Sequence, residues 1–190
     1  VKYASLLTLP GIMAIIVLSE PLTVTLYGKA YEYAPLFLSL HSVGYLYIGI
    51  GSGILRSFLN GQGKTMVNMK LAIINLATGV PLGLLLIPQF GILGLIGTQL
   101  AASTSYLTVG LWWVIKHCGV NVDWFSSVRL YLASGLGAAH TYLFLFQLGF
   151  PEWIELLFGG TFFVIVYLIS ASFVGAVNNT DVSNLREMFS

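Results

Sequence analysis

Charge is the scarcest component of this sequence. Among 190 residues there are 8 Lys and Arg and 7 Asp and Glu, together 8% of the chain, for a formal net charge of +1. A soluble domain carries about 25% charged residues, so this chain has too few ionic groups to cover a surface that faces water. That shortage excludes a water-soluble globular enzyme, a disordered chain and a nucleic-acid binder. Cysteine is nearly absent as well. Cys118 stands alone, which excludes an internal disulfide framework or a multi-cysteine zinc site, and it reads as an inert thiol. His41, His117 and His140 are widely separated, with no carboxylate or thiol at ligand spacing, so neither a metal site nor a cofactor is expected. No Ser/His/Asp arrangement suggests itself, because Asp123 and Asp181 fall in a loop and a tail. The sequence therefore gives no case for an enzyme. Gly63-Lys64-Thr65 resembles the end of a phosphate-binding loop. The position that would need the motif's first glycine is Phe58, so the segment reads as a tight basic turn.

What the sequence has in quantity is long uncharged apolar stretches. Hydrophobic residues make up 57% of the chain. No charge occurs from Tyr3 to Ser19, Tyr33 to Leu55, Leu71 to Ile115, Leu130 to Pro151 or Leu156 to Thr180. A helix needs about 20 mostly apolar residues to cross about 30 Å of hydrocarbon. Four of these stretches hold one span each. The stretch from Leu71 to Ile115 holds two, divided at Pro88-Gln89-Phe90-Gly91. The expected fold is thus all-α, a polytopic transmembrane helix bundle with six membrane-spanning helices at about 5–27, 33–60, 67–87, 92–116, 129–148 and 153–177. A short polar tail over 178–190 follows. Long, continuously apolar segments favour helices over the short alternating strands of a membrane barrel. The second span is longer than the hydrocarbon requires, so a tilt or an interfacial first turn is expected there.

Orientation follows from the cations. Lys2, Arg56, Lys64, Lys70, Lys116, Arg129 and Arg186 fall on one side of the six-span arrangement, and only Lys29 falls on the other. That puts both termini in the cytoplasm and the chain in the cell membrane as a multi-pass protein. Asn178-Asn179-Thr180 fits a glycosylation signal but lies on the cytoplasmic side, so it is expected to be unmodified.

Small and polar residues inside the spans indicate what the helices do. Gly49/Gly53 and Gly79/Gly83 are spaced for close helix packing, as helices in lipid require. Pro81 lies between Gly79 and Gly83, where a missing backbone hydrogen bond permits a kink. Polar groups in hydrocarbon must find partners or line a polar cavity. Asn75 and Gln99 are the foremost cavity candidates, near mid-depth, and Tyr45 joins them on the second span. Thr78, Ser103, Thr104, Tyr47, His140 and Gln147 are further in-span polar groups. Arg56 and Lys70 each sit about a turn inside their spans beside Lys64. They suit anionic headgroups, or the mouth of a cavity for a phosphate-bearing substrate. No Asp or Glu lies at mid-depth, which argues against a carboxylate proton relay in these spans.

Four blocks of residues resemble a known family. The first is Leu9-Pro10 with Leu18-Ser19-Glu20-Pro21-Leu22 and Leu26-Tyr27-Gly28-Lys29-Ala30-Tyr31. Ala34-Pro35-Leu36, Leu59-Asn60-Gly61-Gln62-Gly63-Lys64-Thr65 and Ile87-Pro88-Gln89-Phe90-Gly91-Ile92-Leu93-Gly94 follow in order. Together they resemble the C-terminal half of polysaccharide-biosynthesis flippases of the O-antigen type. These belong to the superfamily that also holds multidrug and toxin extrusion antiporters. The blocks cover about residues 1–100, and the remainder matches in hydropathy only. The resemblance implies one portion of a two-lobed exporter that moves lipid-linked sugars across the cytoplasmic membrane by alternating access. Its expected partners are the lipid bilayer, the lipid-linked sugar substrate, and an N-terminal lobe supplied by another part of the chain or by another chain. A drug or cation antiporter of the same superfamily is the alternative, as is a non-transporting membrane scaffold or truncated remnant.

Overall fold

A computed structural model describes residues 2–120, 124–145 and 150–175. Among them the protein is all-α. Helices α1 (Lys2–Val17), α2 (Ser19–Tyr27) and α3 (Ala34–Val43) are followed by a 3₁₀ segment over Gly44–Ile50. Then come α4 (Ser52–Gly61), α5 (Thr65–Phe90), α6 (Ile92–Cys118), α7 (Trp124–Leu145) and α8 (Glu152–Phe173). Helices α5, α6 and α8 are each long and apolar enough to cross a membrane. If the bent pairs α1–α2 and α3–α4 each count as one span, the total is five. Large apolar side chains on these helices are widely exposed, among them Leu84 at 73% and Phe173 at 88%. Several long apolar helices with such surfaces point to a multi-pass membrane protein.

The expected six spans are met in part. The segment expected at 129–148 corresponds to α7, which is not among the qualifying helices. Arg129, Ser134, His140 and Thr141 dilute its apolar content. Phe146, Gln147, Leu148, the end of the sixth span and the 178–190 tail lie outside the described residues. The first span is not one rod but two helices bent by 69° at Leu18. Pro21 has no N–H to offer the Val17 carbonyl, so α1 stops there, and a proline is well tolerated in the first turn of α2. The second span bends by 49° at Gly51. By contrast α5 runs unbroken through Pro81 and Pro88. The chain reverses at Gly91, one residue beyond the end of α5.

The chain divides into two compact units, residues 40–123 and residues 2–39 with 124–190. In the second unit α7 packs on α8, α1 on α7 and α2 on α8. Leu9, Leu130, Ala133 and Phe163 are fully or almost fully buried in it. Pro10 lies inside α1 and leaves the Leu6 carbonyl without its helical donor. The Tyr167 hydroxyl donates to that carbonyl at 2.8 Å, so α8 repairs the gap. Lys29 and Glu152 pair at 2.8 Å. The hydrogen bond and the charge of Glu152 raise the Lys29 pKa above its ordinary value.

In the first unit α5 and α6 form a long antiparallel hairpin with α4 laid against both. Gly94 makes the hairpin possible, because a Cβ there would collide with the Leu86 backbone. Leu55 and Leu59 of α4, Leu71 of α5 and Val114 of α6 form the core. Cys118 packs against it.

Candidate functional site

The site begins with a break in a helix. The backbone tightens into a 3₁₀ segment at Gly44–Ile50 and then passes through Gly51 at φ +100°. That left-handed conformation suits glycine alone among common residues. The helix restarts as α4 in a new direction, with Ser52 on its first turn and Arg56 one turn later. The break leaves room beside the α5–α6 hairpin for a cavity of about 290 Å³.

Helical period decides which side chains reach it. On α5, Ala72 and Asn75 line the cavity, and Asn68 continues the same stripe at i−4 from Ala72. On α6, Ile96, Gln99, Ser103 and Tyr106 follow the spacing of one helix face. His41, Tyr45, Tyr47, Ser52 and Arg56 close it from the broken segment. Of the residues singled out from sequence, Asn75, Gln99, Tyr45 and Arg56 therefore meet in one cavity, and Lys70 does not. Lys70 stands about 140° around α5 from Asn75 at 100° per residue and is exposed. His41, Ser52 and Tyr106 are lining residues that sequence reasoning passed over. Tyr106 was within reach, at i+7 from Gln99. His41 and Ser52 depend on the break at Gly51, which the apolar pattern did not announce.

The lining is polar, hydroxyl-rich and cationic. Thr104 Oγ1 donates to the Leu100 carbonyl at 2.7 Å, so in its 2.7 Å contact with Tyr47 the tyrosine hydroxyl is the donor. Tyr45 Oη lies 3.5 Å from His41 Nε2, with the two rings edge to face. Tyr106 donates to Asn68 Oδ1 at 3.1 Å, and Asn68 Nδ2 donates to Asn60 Oδ1 at 3.1 Å. This chain ties α6, α5 and α4 together beside the cavity. The side chains of Asn75, Gln99 and Arg56 make no hydrogen bond to another described residue, so their amide and guanidinium groups are available to a ligand. Arg56 brings a positive charge, and among the described residues no carboxylate lines the cavity. Such a site can bind an anion and hydrogen-bond a polyol.

A shallower apolar groove runs along α5 past Leu76, Gly79, Gly83 and Leu84. Among the described residues no group of three His, Cys, Asp or Glu could hold a metal ion. The basic turn at Gly63-Lys64 holds Lys64 over the Trp113 ring, 5.6 Å from its centroid.

Compared with known protein families, curated proteins and solved structures, the chain matches none.

Proposed function

We propose that this chain is the cavity-bearing part of a multi-pass membrane exporter for lipid-linked oligosaccharide or polysaccharide precursors. It works as a carrier with no catalytic step. The observation that carries this reading is the cavity, which offers one guanidinium, free amides and several hydroxyls with no opposing carboxylate. A sugar phosphate on a lipid carrier has the matching chemistry. Its anion would meet Arg56, its hydroxyls would meet Asn75, Gln99 and Ser103, and its tail would stay among the exposed apolar side chains of the helices. The order of the sequence blocks that resemble polysaccharide flippases supports the same reading. In it the chain crosses the membrane six times with both termini cytoplasmic, and α7 is a span. The break at Gly51 would serve alternating access, since half-helices meeting at a cavity are a recurring transporter device. A partner lobe, from elsewhere in the same protein or from another chain, would complete the path. A drug or cation antiporter is the less favoured reading, because a cationic substrate would meet Arg56 and no carboxylate.

The test is flipping of a fluorescent lipid-linked oligosaccharide in proteoliposomes, with the chain alone and with its partner lobe. Arg56→Gln should lower the rate by about tenfold or more, the worth of a charge-assisted hydrogen bond, and Asn75→Leu by a smaller factor. Lys70→Gln should leave the rate unchanged. Equal rates for Arg56→Gln and the unaltered chain would sink the assignment.

A further inference from the structure

The cations of the first unit that the cavity does not use gather at one end of the α5–α6 hairpin. Lys64 Nζ sits over Trp113, 5.6 Å from the ring centroid. The His117 ring stacks on the same indole at 4.6 Å and 13°. One residue earlier on each turn, Lys116 Nζ lies 4.9 Å from the centroid of Trp112. His117 Nδ1 is 3.0 Å from the Trp113 carbonyl. Nδ1 therefore carries the hydrogen in the neutral ring, and Nε2 is the free edge. Among the described residues α4, α5 and α6 carry no Asp or Glu. The negative end of α6 supplies only about half a charge.

The site's depth follows from helix length. At 27 residues, α6 is about 40 Å long at 1.5 Å per residue, whereas hydrocarbon occupies about 30 Å. In the membrane reading the excess length falls at the cationic end of α6, and Trp112 and Trp113 there suit the headgroup layer, where tryptophan concentrates. Trp112 and Ile115 are exposed and continue the apolar surface toward acyl chains.

We propose that Lys64 on Trp113 and Lys116 on the adjacent Trp112, with His117 stacked on the Trp113 indole, form a binding site in which the two ammonium groups take the phosphate headgroup of an anionic phospholipid. The site rests on the membrane reading but not on transport. A lipid is favoured over free phosphate because the cations share their aromatic mounts with exposed apolar surface.

Native mass spectrometry of the full chain in detergent, with phosphatidylglycerol and phosphatidylcholine in equal amounts, reads the site directly. Phosphatidylglycerol should be retained in preference. Lys64→Gln and Lys116→Gln should each weaken its binding about fivefold, the worth of one basic residue near an anionic surface. Lys64→Arg should retain it, and Lys29→Gln should change nothing. Equal retention of the two lipids, or unchanged binding in the Lys64→Gln/Lys116→Gln variant, overturns the site. Full displacement of the lipid by inorganic phosphate overturns the choice of ligand. A chain that stays in solution without detergent overturns the membrane reading, and this proposal with it.

Discussion

At the scale of single residues, the contact between Tyr167 and α1 shows how one side chain repairs a backbone defect. Pro10 deprives the Leu6 carbonyl of its usual donor, and the Tyr167 hydroxyl replaces it at 2.8 Å from another helix. A buried carbonyl left unpaired costs about 1–3 kcal/mol. Interhelical hydrogen bonds in membranes average only about 0.6 kcal/mol because the reference state finds other partners. Leu6 has little choice of partner, so Tyr167→Phe should cost toward the upper figure. In a Pro10→Ala background, Ala at that position supplies an N–H to Leu6, and the same change should cost almost nothing. A double-mutant cycle, read by unfolding in mixed detergent micelles, measures the difference. Equal costs in the two backgrounds would mean that Tyr167 acts by packing alone.

At the scale of elements, α4 is a half-helix fastened at its C-terminal end. Gly51 releases it from the preceding segment, and the Tyr106–Asn68–Asn60 chain fastens it to the hairpin. Leu55 and Leu59 bury its apolar face, so Asn68→Leu should change global stability little. Two hydrogen bonds at about 0.6 kcal/mol each would still raise local opening by about five- to tenfold. Hydrogen exchange should rise by that factor across residues 52–61 and stay unchanged in α8. A rise of the same size in both would show global loosening instead. This element also marks where the sequence was legible. Asn75 and Gln99 could be placed near a cavity because a strongly polar amide in an apolar run needs a partner. The start of α6 followed from Gly91, whereas α5 continues to Phe90 through the Pro88 at which the apolar pattern led its span to be ended. The bends at Leu18 and Gly51 were hidden inside uninterrupted apolar runs, where hydropathy is blind to direction. Pro21 and the Gly51-Ser52-Gly53 run were the available signals. Lys70 was grouped with Arg56 by sequence depth, yet depth along a helix does not fix the face on which a side chain emerges.

At the scale of the whole molecule, the described carboxylates are confined to one unit, which also holds Lys29 and Arg129. Glu20, Glu32, Glu152 and Glu155, the described carboxylates, all belong to the second unit, whereas Arg56, Lys64, Lys70 and Lys116 belong to the first. Basic residues flanking a span are retained on the cytoplasmic face, while acidic residues contribute little to orientation. In the proposed topology the turn containing Gln62 is therefore cytoplasmic, and the segment containing Glu32 is external. Both positions are exposed, so cysteines there would be open to a thiol reagent that cannot cross the membrane. Cys118 is partly buried and would be removed first as Cys118→Ala to clear the background. In intact cells Glu32→Cys should react and Gln62→Cys should not. In inverted vesicles the pattern should reverse. Only one membrane crossing of the bent α3–α4 segment separates these two positions, so the experiment also decides whether that pair is a span or a re-entrant loop. Labelling of both cysteines from the same side would make it re-entrant, shift every later helix to the opposite orientation, and remove the cytoplasmic setting on which the proposed substrate path depends.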